Sequence, residues 1–501
     1  MRLKFLKRKG KIGKYNPRIA RGMFIDPVKV TTRGTGQLFT VASIELGNTT
    51  TKCIITTTDL KTGKIYLVRR AVELTRNIRR PHPNERLLGY TLWGKMLSEM
   101  AVIEFIRDFL VSCVREAGLD RDKDLHFVVQ STGISASFGT PEEVGSVIRA
   151  LAKGCLAAGI SPSKMIAPLS KNSLPDDLKE YSKLDVVFFD GAIAGCLPPK
   201  SGGEIMANEM EAELSTAGIK VGAKWTDVDC RNPIISMDFG TTFKGRVTND
   251  ELPYAKTIGS ICGLSGAICD ALIQGTEVAT SALEFSEYIK TKDVIDAEKC
   301  EELAYEVHKY IDVRKVLPSA VRVGMIPINA KLACEQGVLL IGCDVGDNGS
   351  YLPKLRSLGH EFYSQYGGKT LLAILDYTSA LIAKRVLETL IAHGLINDNY
   401  TIGITGRAGI TGLKPYLILK YVDELGVFND DVNRRVVFVE DGLALGANVM
   451  ARCLHSLGTP QNPLGGNRGM GCILSLRAKF QKLERKVKRS NESSTRNECE
   501  E

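Results

Sequence analysis

The sequence predicts an α/β protein in which one opening motif occurs twice, and three observations support this class. Two strand–turn–strand segments of similar composition, SIELGNTTTK at 43–52 and SMDFGTTFKG at 236–245, lie 193 residues apart, counted from Glu45 to Asp238. Apolar periodicities typical of strands and helices alternate along the chain. A chain of 501 residues is also too long for one simple core, so two or three domains are expected.

The first half predicts the order β-β-β-α-β-α-β-α. Its elements are a hairpin at about 40–57, the strand KIYLVRRAV, a helix at 95–117, a strand in DLHFVVQSTG, a helix at 142–159, the buried strand KLDVVFFDGAIAG and an acid-rich helix at 202–214. The hairpin then recurs.

The second half is less regular. After the hairpin we predict helices around 263–290 and 296–312, a turn-rich segment at 342–355, a long helix at 371–395, a strand leading into the glycine-rich loop of TIGITGRAGITGLKPY, and a strand that runs directly into the small-residue helix of VVFVEDGLALGANVMARCLHSLG.

The two hairpin turns have the chemistry of phosphate binding. Each places a carboxylate two positions before a glycine, and hydroxyl residues follow. Glycine lets the backbone approach an anion, Thr hydroxyls add donors, and a carboxylate at a strand end holds hydrated Mg²⁺. The candidate phosphate-binding residues are Gly47, Asn48, Thr49 and Thr50 in the first turn and Gly240, Thr241, Thr242 and Lys244 in the second. One such turn alone is more typical of an ordinary hairpin, but two in matching positions favour phosphate.

Two later glycine-rich stretches have both a binding and a packing interpretation. GITGRAGITG at 403–412 follows a short strand and predicts a loop on which a nucleoside lies flat, with Gly403, Gly406, Arg407 and Gly409 as candidates. A surface turn is the alternative. In DGLALGANVMA at 441–451, Gly442 and Gly446 permit close approach either of a ligand or of a neighbouring helix.

Charge and cysteine content restrict the class of protein. Residues 1–34 hold eleven Lys or Arg and one acid, and 473–501 carry +3, so 35–472 carry −4 of the net +9. The basic leader is either a solvated flexible extension or a docking segment for an anionic surface, and it lacks the apolar core of a signal peptide. Thirteen cysteines without a Cys-x-x-Cys pair predict reduced thiols in a cytoplasmic protein. Asp376, Lys384, Arg385 and Glu388 argue against a membrane span at 371–395.

Several common catalytic patterns have no support. GGKT at 367–370 lacks the earlier glycine and the strand of a Walker loop, and there is no Gly-x-Ser-x-Gly elbow. None of the six histidines has a second histidine at metal-binding spacing.

The order phosphate hairpin, acidic helix, phosphate hairpin, glycine-rich loop and small-residue helix resembles the acetate and sugar kinase, heat-shock chaperone and actin superfamily. The resemblance covers roughly 40–458. It implies two duplicated ribonuclease-H-like domains flanking a nucleotide cleft, at 39–218 and 219–472, between a basic extension at 1–38 and a charged tail at 473–501. The motif ELGNTTTK is similar to the first phosphate motif of the chaperones that reactivate cobalamin-dependent dehydratases. The whole chain resembles the archaeal methanogenesis marker protein 14 family.

The resemblance also implies roles for residues. It makes 43–52 and 236–245 the two phosphate motifs, 403–412 the adenosine motif and 441–451 the second connecting motif. Asp238 and Glu45 would hold Mg²⁺ through water, and Glu209 or Glu211 would position a hydrolytic water. Where the superfamily has Asp in its first motif, this chain has Glu45.

These expectations together describe an ATP-binding, Mg²⁺-dependent protein that hydrolyses ATP slowly and remodels or reactivates a partner enzyme, in methanogenesis if the family name is a guide. We expect neither a membrane span nor a specific nucleic-acid partner. Two alternatives stay open: a small-molecule kinase of the same fold, for which Asp190 is a candidate base, and a non-catalytic nucleotide-sensing scaffold.

Overall fold

The computed structural model describes residues 14–32, 38–134, 141–165, 211–251, 255–289 and 295–455, and positions 483 and 487. Several predictions fall outside these ranges: the strand KLDVVFFDGAIAG with Asp190, the first part of the acid-rich helix with Glu209, and almost all of the tail at 473–501. No described helix has the length and apolar character needed to cross a membrane.

Sixteen strands are present in the described part of the chain. In order they are β1 (Arg18–Ala20), β2 (Leu38–Leu46), β3 (Thr50–Asp59), β4 (Ile65–Leu74), β5 (Leu87–Tyr90), β6 (Met96–Ser98), β7 (Phe127–Thr132), β8 (Ile234–Phe239), β9 (Thr242–Thr248), β10 (Thr257–Leu264), β11 (Asp312–Lys315), β12 (Arg322–Val323), β13 (Ile326–Pro327), β14 (Leu339–Asp344), β15 (Thr401–Thr405) and β16 (Val436–Val439).

The α-helices of the same ranges are α1 (Pro27–Thr32), α2 (Glu99–Glu116), α3 (Pro141–Ala157), α4 (Glu211–Ala223), α5 (Gly266–Gln274), α6 (Ala282–Phe285), α7 (Ala297–His308), α8 (Ala330–Glu335), α9 (Leu352–Ala392), α10 (Arg407–Ile410), α11 (Lys414–Glu424) and α12 (Gly442–His455). The predicted long helix is therefore longer than expected. It starts at Leu352 and continues through a kink at Gly367, where φ is +80°. The sequence GGKT lies at this kink.

Two main sheets repeat one topology. The first has the order β4-β3-β2-β7, with β2 antiparallel to β3 and parallel to β7. The second contains the order β16-β15-β8-β9-β10, in which β8 is antiparallel to β9 and parallel to β15. In both sheets the first strand of the hairpin, β2 or β8, is internal. The next two strands of the chain follow it on one side in antiparallel order, and a later strand, β7 or β15, pairs with it in parallel on the other side. This repeated order confirms the predicted duplicated ribonuclease-H-like fold.

Each main sheet has its own apolar core. Ile44, Val102 and Val128 belong to the first core. The second core, which includes Ile341 and Leu381, surrounds the central part of α9. Beyond the shared topology, the second sheet is extended by β14 and β11 at one edge and by β1 at the other. Eight of the nine cysteines with described side chains are buried, and all nine are free thiols.

Two observations bear on the domain boundaries predicted at 38 and 218, which stay predictions. We expected 1–38 to be a separate extension, but Arg18–Ala20 forms β1 and pairs in parallel with β16. The basic composition of this segment does not reveal an edge strand, because pairing at an open sheet edge uses backbone groups and does not depend on side-chain charge. The predicted boundary at 218 falls within α4, which packs as one helix on the second sheet: Ile219 lies against Gly403 and Gly222 against Val439.

Candidate functional site

The two hairpin turns meet at Thr49. Its hydroxyl accepts hydrogen bonds from the hydroxyl of Thr241 at 3.0 Å and from the indole N–H of Trp93 at 3.1 Å. It donates to the carboxylate of Asp270, on α5, at 3.2 Å. One hydroxyl group therefore joins the β2–β3 turn, the β5–β6 hairpin, the β8–β9 turn and α5, and its hydrogen-bonding capacity is filled. The residues that the sequence singled out in the two halves are in direct contact.

The rest of the first turn is held by a backbone hydrogen bond and by the side chain of Asn48. The N–H of Gly47 donates to the carbonyl of Thr50 at 3.0 Å, which closes the turn. Asn48 is buried; its side chain accepts from the N–H of Leu92 at 2.8 Å and donates to the carbonyl of Gly133 at 3.2 Å. The Asn48 side chain thus fixes the turn against neighbouring loops.

Glu45 and Lys52 form an ion pair across the first hairpin. They are directly opposite in the β2–β3 register, where cross-strand side chains interact. The Lys52 ammonium lies 3.5 Å from the Glu45 carboxylate, and both side chains are mostly buried. The Glu45 carboxylate raises the pKa of Lys52, against the lowering effect of burial, and Asp238 and Asp441 add to the increase. The protonated form of Lys52 is therefore stabilised by carboxylates from both halves.

Asp238 stands at the carboxyl end of β8. Its carboxylate accepts a hydrogen bond from the hydroxyl of Ser215, on α4, at 2.8 Å. Burial raises the pKa of the Asp238 carboxyl to about 6, and Glu45 adds to the increase, whereas Lys52 and Ser215 oppose it. A carboxylate in such surroundings is stabilised by a further positive charge, so this position suits a cation.

The second hairpin repeats the pattern with a different partner. Lys244 is directly opposite Asp238 in the β8–β9 register, but its ammonium forms a buried ion pair with Glu211 of α4. Two residues further along both elements, Arg246 pairs with Glu213 at 2.9 Å. The predicted candidate Glu211 therefore does lie beside the second hairpin. Glu211 also approaches the end of β7. A Cβ atom at Gly133, just after β7, would lie 3.8 Å from a Glu211 carboxylate oxygen.

The glycine-rich loop after β15 passes over the end of β8. Gly406 has φ of +82°, and a Cβ atom there would lie 2.5 Å from the backbone of Phe239 and 2.6 Å from the Asp238 carboxylate. Only glycine satisfies both the conformation and the space. Arg407 is exposed beside it. The far end of the loop is anchored by Asp376 of α9, which accepts from the N–H of Leu413 at 2.6 Å and pairs with Lys414.

Other predicted glycines contact protein groups. A Cβ atom at Gly403 would collide with Ile219, and one at Gly446 with the carbonyl of Leu214. Gly442 donates its N–H to the hydroxyl of Thr405 at 3.0 Å. These contacts are typical of packing between helices and strands. The binding of a ligand by these glycines stays a prediction.

The site as a whole is rich in oxygen atoms and in charge. Its predicted members Glu45, Thr49, Asp238, Thr241 and Gly406 come together from both halves. Within the described residues no group of three or more His, Cys, Asp or Glu is arranged to hold a metal. The carboxylates of Glu45 and Asp238 nevertheless suit Mg²⁺, which prefers oxygen ligands and commonly takes only one or two carboxylates, with water and phosphate completing its shell.

Sequence reasoning missed four residues of the site. Lys52 stands inside the first motif, and its place opposite Glu45 follows from hairpin register once the turn length is known. Ser215, Asp270 and Trp93 reach the site from separate elements. No local sequence pattern distinguishes these three, because only the packing of α4, α5 and the β5–β6 hairpin brings them to the turns.

Two relatives match most of the chain. A protein of Methanocaldococcus jannaschii is 52% identical over 448 residues, which are 89% of this chain and 91% of that protein. A protein of Methanothermobacter thermautotrophicus is 50% identical over 447 residues, or 88% of this chain and 83% of that protein.

Solved structures align at much lower identity. A reductive activator for a corrinoid, iron-sulfur protein aligns with a TM-score of 0.36 and 12% identity, over 83% of this chain but only 61% of that longer chain. The ethanolamine utilization protein EutJ from Carboxydothermus hydrogenoformans aligns with a TM-score of 0.34 and 10% identity, over 82% of this chain and 89% of that one. An Aquifex aeolicus member of the Ppx/GppA family gives 0.24 and 12%, over 54% of this chain and 61% of that chain.

The family described as "Uncharacterized protein conserved in archaea (DUF2114)" matches residues 38–481. This range includes both hairpins, the glycine-rich loop and nearly all of the described elements, and the protein belongs to that archaeal family.

Proposed function

We propose that this protein binds a Mg²⁺–nucleotide, with ATP as the expected ligand, between its two hairpin turns. The observation that carries the proposal is the contact of Thr49 with Thr241 at 3.0 Å, with a carboxylate at the adjoining strand end of each half. Two turns of matching chemistry, supplied by duplicated sheets, can hold one chain of phosphates from both sides. Since the turns are in contact, the nucleotide has to separate them when it enters.

Glu45 and Asp238 would hold the metal through water, with Asp238 as the principal ligand because its carboxylate is the one that α4 and the glycine-rich loop surround. Bound Mg²⁺ would neutralise charge on the phosphates. The hydroxyl of Thr241, released from Thr49 when the turns separate, and the backbone N–H groups of the turns would donate to phosphate oxygens. The hydroxyl of Thr49 would do so after leaving Asp270. Gly406, Arg407 and Gly409 would flank the nucleoside, since they follow the carboxyl end of β15, where ligands of such sheets gather.

The proposal also includes slow hydrolysis of ATP and the remodelling or reactivation of a partner enzyme. Glu211 lies beside the second turn and is the candidate for orienting a water molecule, although its ion pair with Lys244 competes for its carboxylate. The turns would separate when the nucleotide enters and would meet again when it leaves. Nucleotide binding would thereby be coupled to the relative position of the two halves. A partner enzyme of methane metabolism is expected from the resemblance of the sequence alone.

Replacement of the Asp238 carboxylate tests the proposal. Asp238→Ala should weaken binding of a non-hydrolysable ATP analogue in the presence of Mg²⁺ by about tenfold or more, as measured by isothermal titration calorimetry. Chelation of Mg²⁺ should weaken binding to the unaltered protein to a similar degree. Asp229→Asn, five residues before the start of β8, is the matched control and should bind normally because Asp229 is exposed and pairs with Arg231.

Equal affinity of Asp238→Ala and the unaltered protein, with both folded, would contradict the site. A separate turnover assay with Mg²⁺ and ATP itself distinguishes the alternatives. Release of phosphate favours an ATPase, and transfer to an added metabolite favours a kinase. Binding without turnover, with partners present, favours the scaffold.

A further inference from the structure

Lys52 is the feature of the site that phosphate binding alone does not explain. Its ammonium lies 3.5 Å from the Glu45 carboxylate, and the side chains are 26% and 16% exposed. Its electrostatic neighbours also include Asp238 and Asp441. A positive charge therefore already occupies the surroundings in which a metal ion would find its two carboxylates.

The charges around Lys52 can be counted residue by residue. Asp441 and Glu440 share Arg70 of β4, which lies 3.1 Å from Glu440, and Arg21 lies 3.8 Å from Glu440, so these four charges balance one another. Glu45 and Asp238 then contribute two negative charges to the cleft, and Lys52 contributes one positive charge. The exposed Arg407 adds positive charge from the loop side. The charges of Glu45, Asp238, Lys52 and Arg407 thus sum to zero without any ligand.

The two hairpins differ in this respect. The lysine opposite Asp238 in the second hairpin, Lys244, is directed to Glu211 in a buried pair. The lysine opposite Glu45 in the first hairpin stays with the cleft carboxylate. The lysine at this cross-strand position pairs with a residue of α4 in the second half and with the facing strand of its own hairpin in the first.

A bare divalent cation would enter this site against the charge of Lys52. Its two positive charges would leave the half-buried cleft with an excess of positive charge, and like charges a few ångströms apart repel strongly where water is partly excluded. A cation that arrives with phosphate brings its own negative charge and avoids this excess. Mg²⁺ already tends to bind as a phosphate complex.

We infer that Lys52 is a built-in counter-ion that excludes free divalent metal from the carboxylates of Glu45 and Asp238, so that metal enters only together with phosphate. The inference rests on the proposed function for the identity of the site. Metal and nucleotide would consequently bind with strong positive coupling, and the nucleotide-free protein would stay metal-free at cellular Mg²⁺.

Titration of the full chain with Mn²⁺ alone, followed by calorimetry and by the electron paramagnetic resonance signal of free Mn²⁺, tests this inference without nucleotide or turnover. Lys52→Gln should bind Mn²⁺ about tenfold or more tightly than the unaltered protein, because the repulsion is removed. Lys52→Arg keeps the charge and should exclude Mn²⁺ as the unaltered protein does. Lys61→Gln, in the exposed turn that joins β3 to β4 at the far end of β3, is the matched control and should leave Mn²⁺ binding unchanged.

A double variant locates the metal. Adding Asp238→Asn to Lys52→Gln should abolish the gain in Mn²⁺ affinity. The inference is overturned if Lys52→Gln binds Mn²⁺ no better than the unaltered protein while its melting temperature shows that it is folded, or if the gain survives in the double variant. Failure of the proposed function looks different: no nucleotide analogue would bind any of these proteins, whatever the Mn²⁺ titrations give.

Discussion

At the scale of single residues, Asp270 shows how α5 is joined to the first hairpin turn. This carboxylate is 5% exposed, accepts from Thr49 at 3.2 Å and accepts from the N–H of Ala282 at 2.9 Å. Burial nevertheless raises the pKa of the Asp270 carboxyl to about 6, because hydrogen bonds from Ala282, Thr49 and Ser281 offset only part of the lost hydration. The acid group that joins α5 to the first turn is therefore costly to ionise.

The pH dependence of stability follows from this shift. The folded-state pKa of Asp270 lies above the ordinary value of 3.8, so the folded protein binds the proton more tightly than the unfolded chain. Its stabilising contribution is complete below about pH 4 and is lost as the pH rises through 6, by about 2 to 3 kcal/mol at most. Asp270→Asn should therefore show a flatter curve of unfolding free energy between pH 4 and pH 7 in urea denaturation. Parallel curves for the two proteins would contradict the assignment.

At the scale of elements, the crossing of α4 and α12 supports the second half of the site. A Cβ atom at Gly218 would collide with the carbonyl of Gly442, and one at Gly446 with the carbonyl of Leu214. The two helix backbones are thus in contact, as small residues at a crossing permit. The same α4 carries Ser215 and Glu211 to the second hairpin, so the crossing sets where these side chains reach.

Substitution at the crossing tests its tightness. In an ordinary helix, Gly→Ala stabilises by up to about 1 kcal/mol, but at Gly446 the added methyl group meets backbone that cannot rotate away. Gly446→Ala should therefore lower the free energy of unfolding by roughly 2 kcal/mol or more. Gly133→Ala is the control, since the nearest atom to its added Cβ lies at 3.8 Å. A Gly446→Ala protein as stable as the control would show that the helices have room.

At the scale of the whole molecule, the N-terminal segment connects the two halves. Tyr15 donates to Asp423 at 2.8 Å, and β1 extends the second sheet. The chain then crosses to the first half, where the carbonyl of Met23 accepts from the N–H of Leu67 at 2.8 Å and Val30 is buried in the first core. Any movement of one half relative to the other would therefore act on these contacts.

Truncation separates the charge of the leader from its structural part. Deletion of 1–32 should lower the melting temperature by roughly 5 °C or more relative to deletion of 1–13, because it removes β1 and the contacts to Leu67. Deletion of 1–13 removes six of the eleven basic residues of 1–34 and is the variant in which salt-dependent binding to a polyanion should be measured. Equal melting temperatures for the two truncations would show that the segment adds no stability.

The sequence by itself determined the repeated hairpin, the α/β class and the residues at each turn. These depend on local rules: Gly at a tight turn, alternation along strands, and a carboxylate at a fixed distance from Gly47 or Gly240. The same rules could not assign partners. The chain carries Lys52 and Lys244 at similar places in the two motifs, yet only packing against α4 directs Lys244 to Glu211 and leaves Lys52 with Glu45.

Tertiary structure alone decided the rest of the site. Asp270 and Trp93 reach Thr49 from elements 221 and 44 residues away along the chain. The role of Gly446 depends on the carbonyl of Leu214, which approaches it only when two helices cross. Hydrogen bonds, ion pairs and close contacts act over a few ångströms. Local sequence therefore specifies which groups are available at each position, and the packing of the two halves determines which of these groups meet.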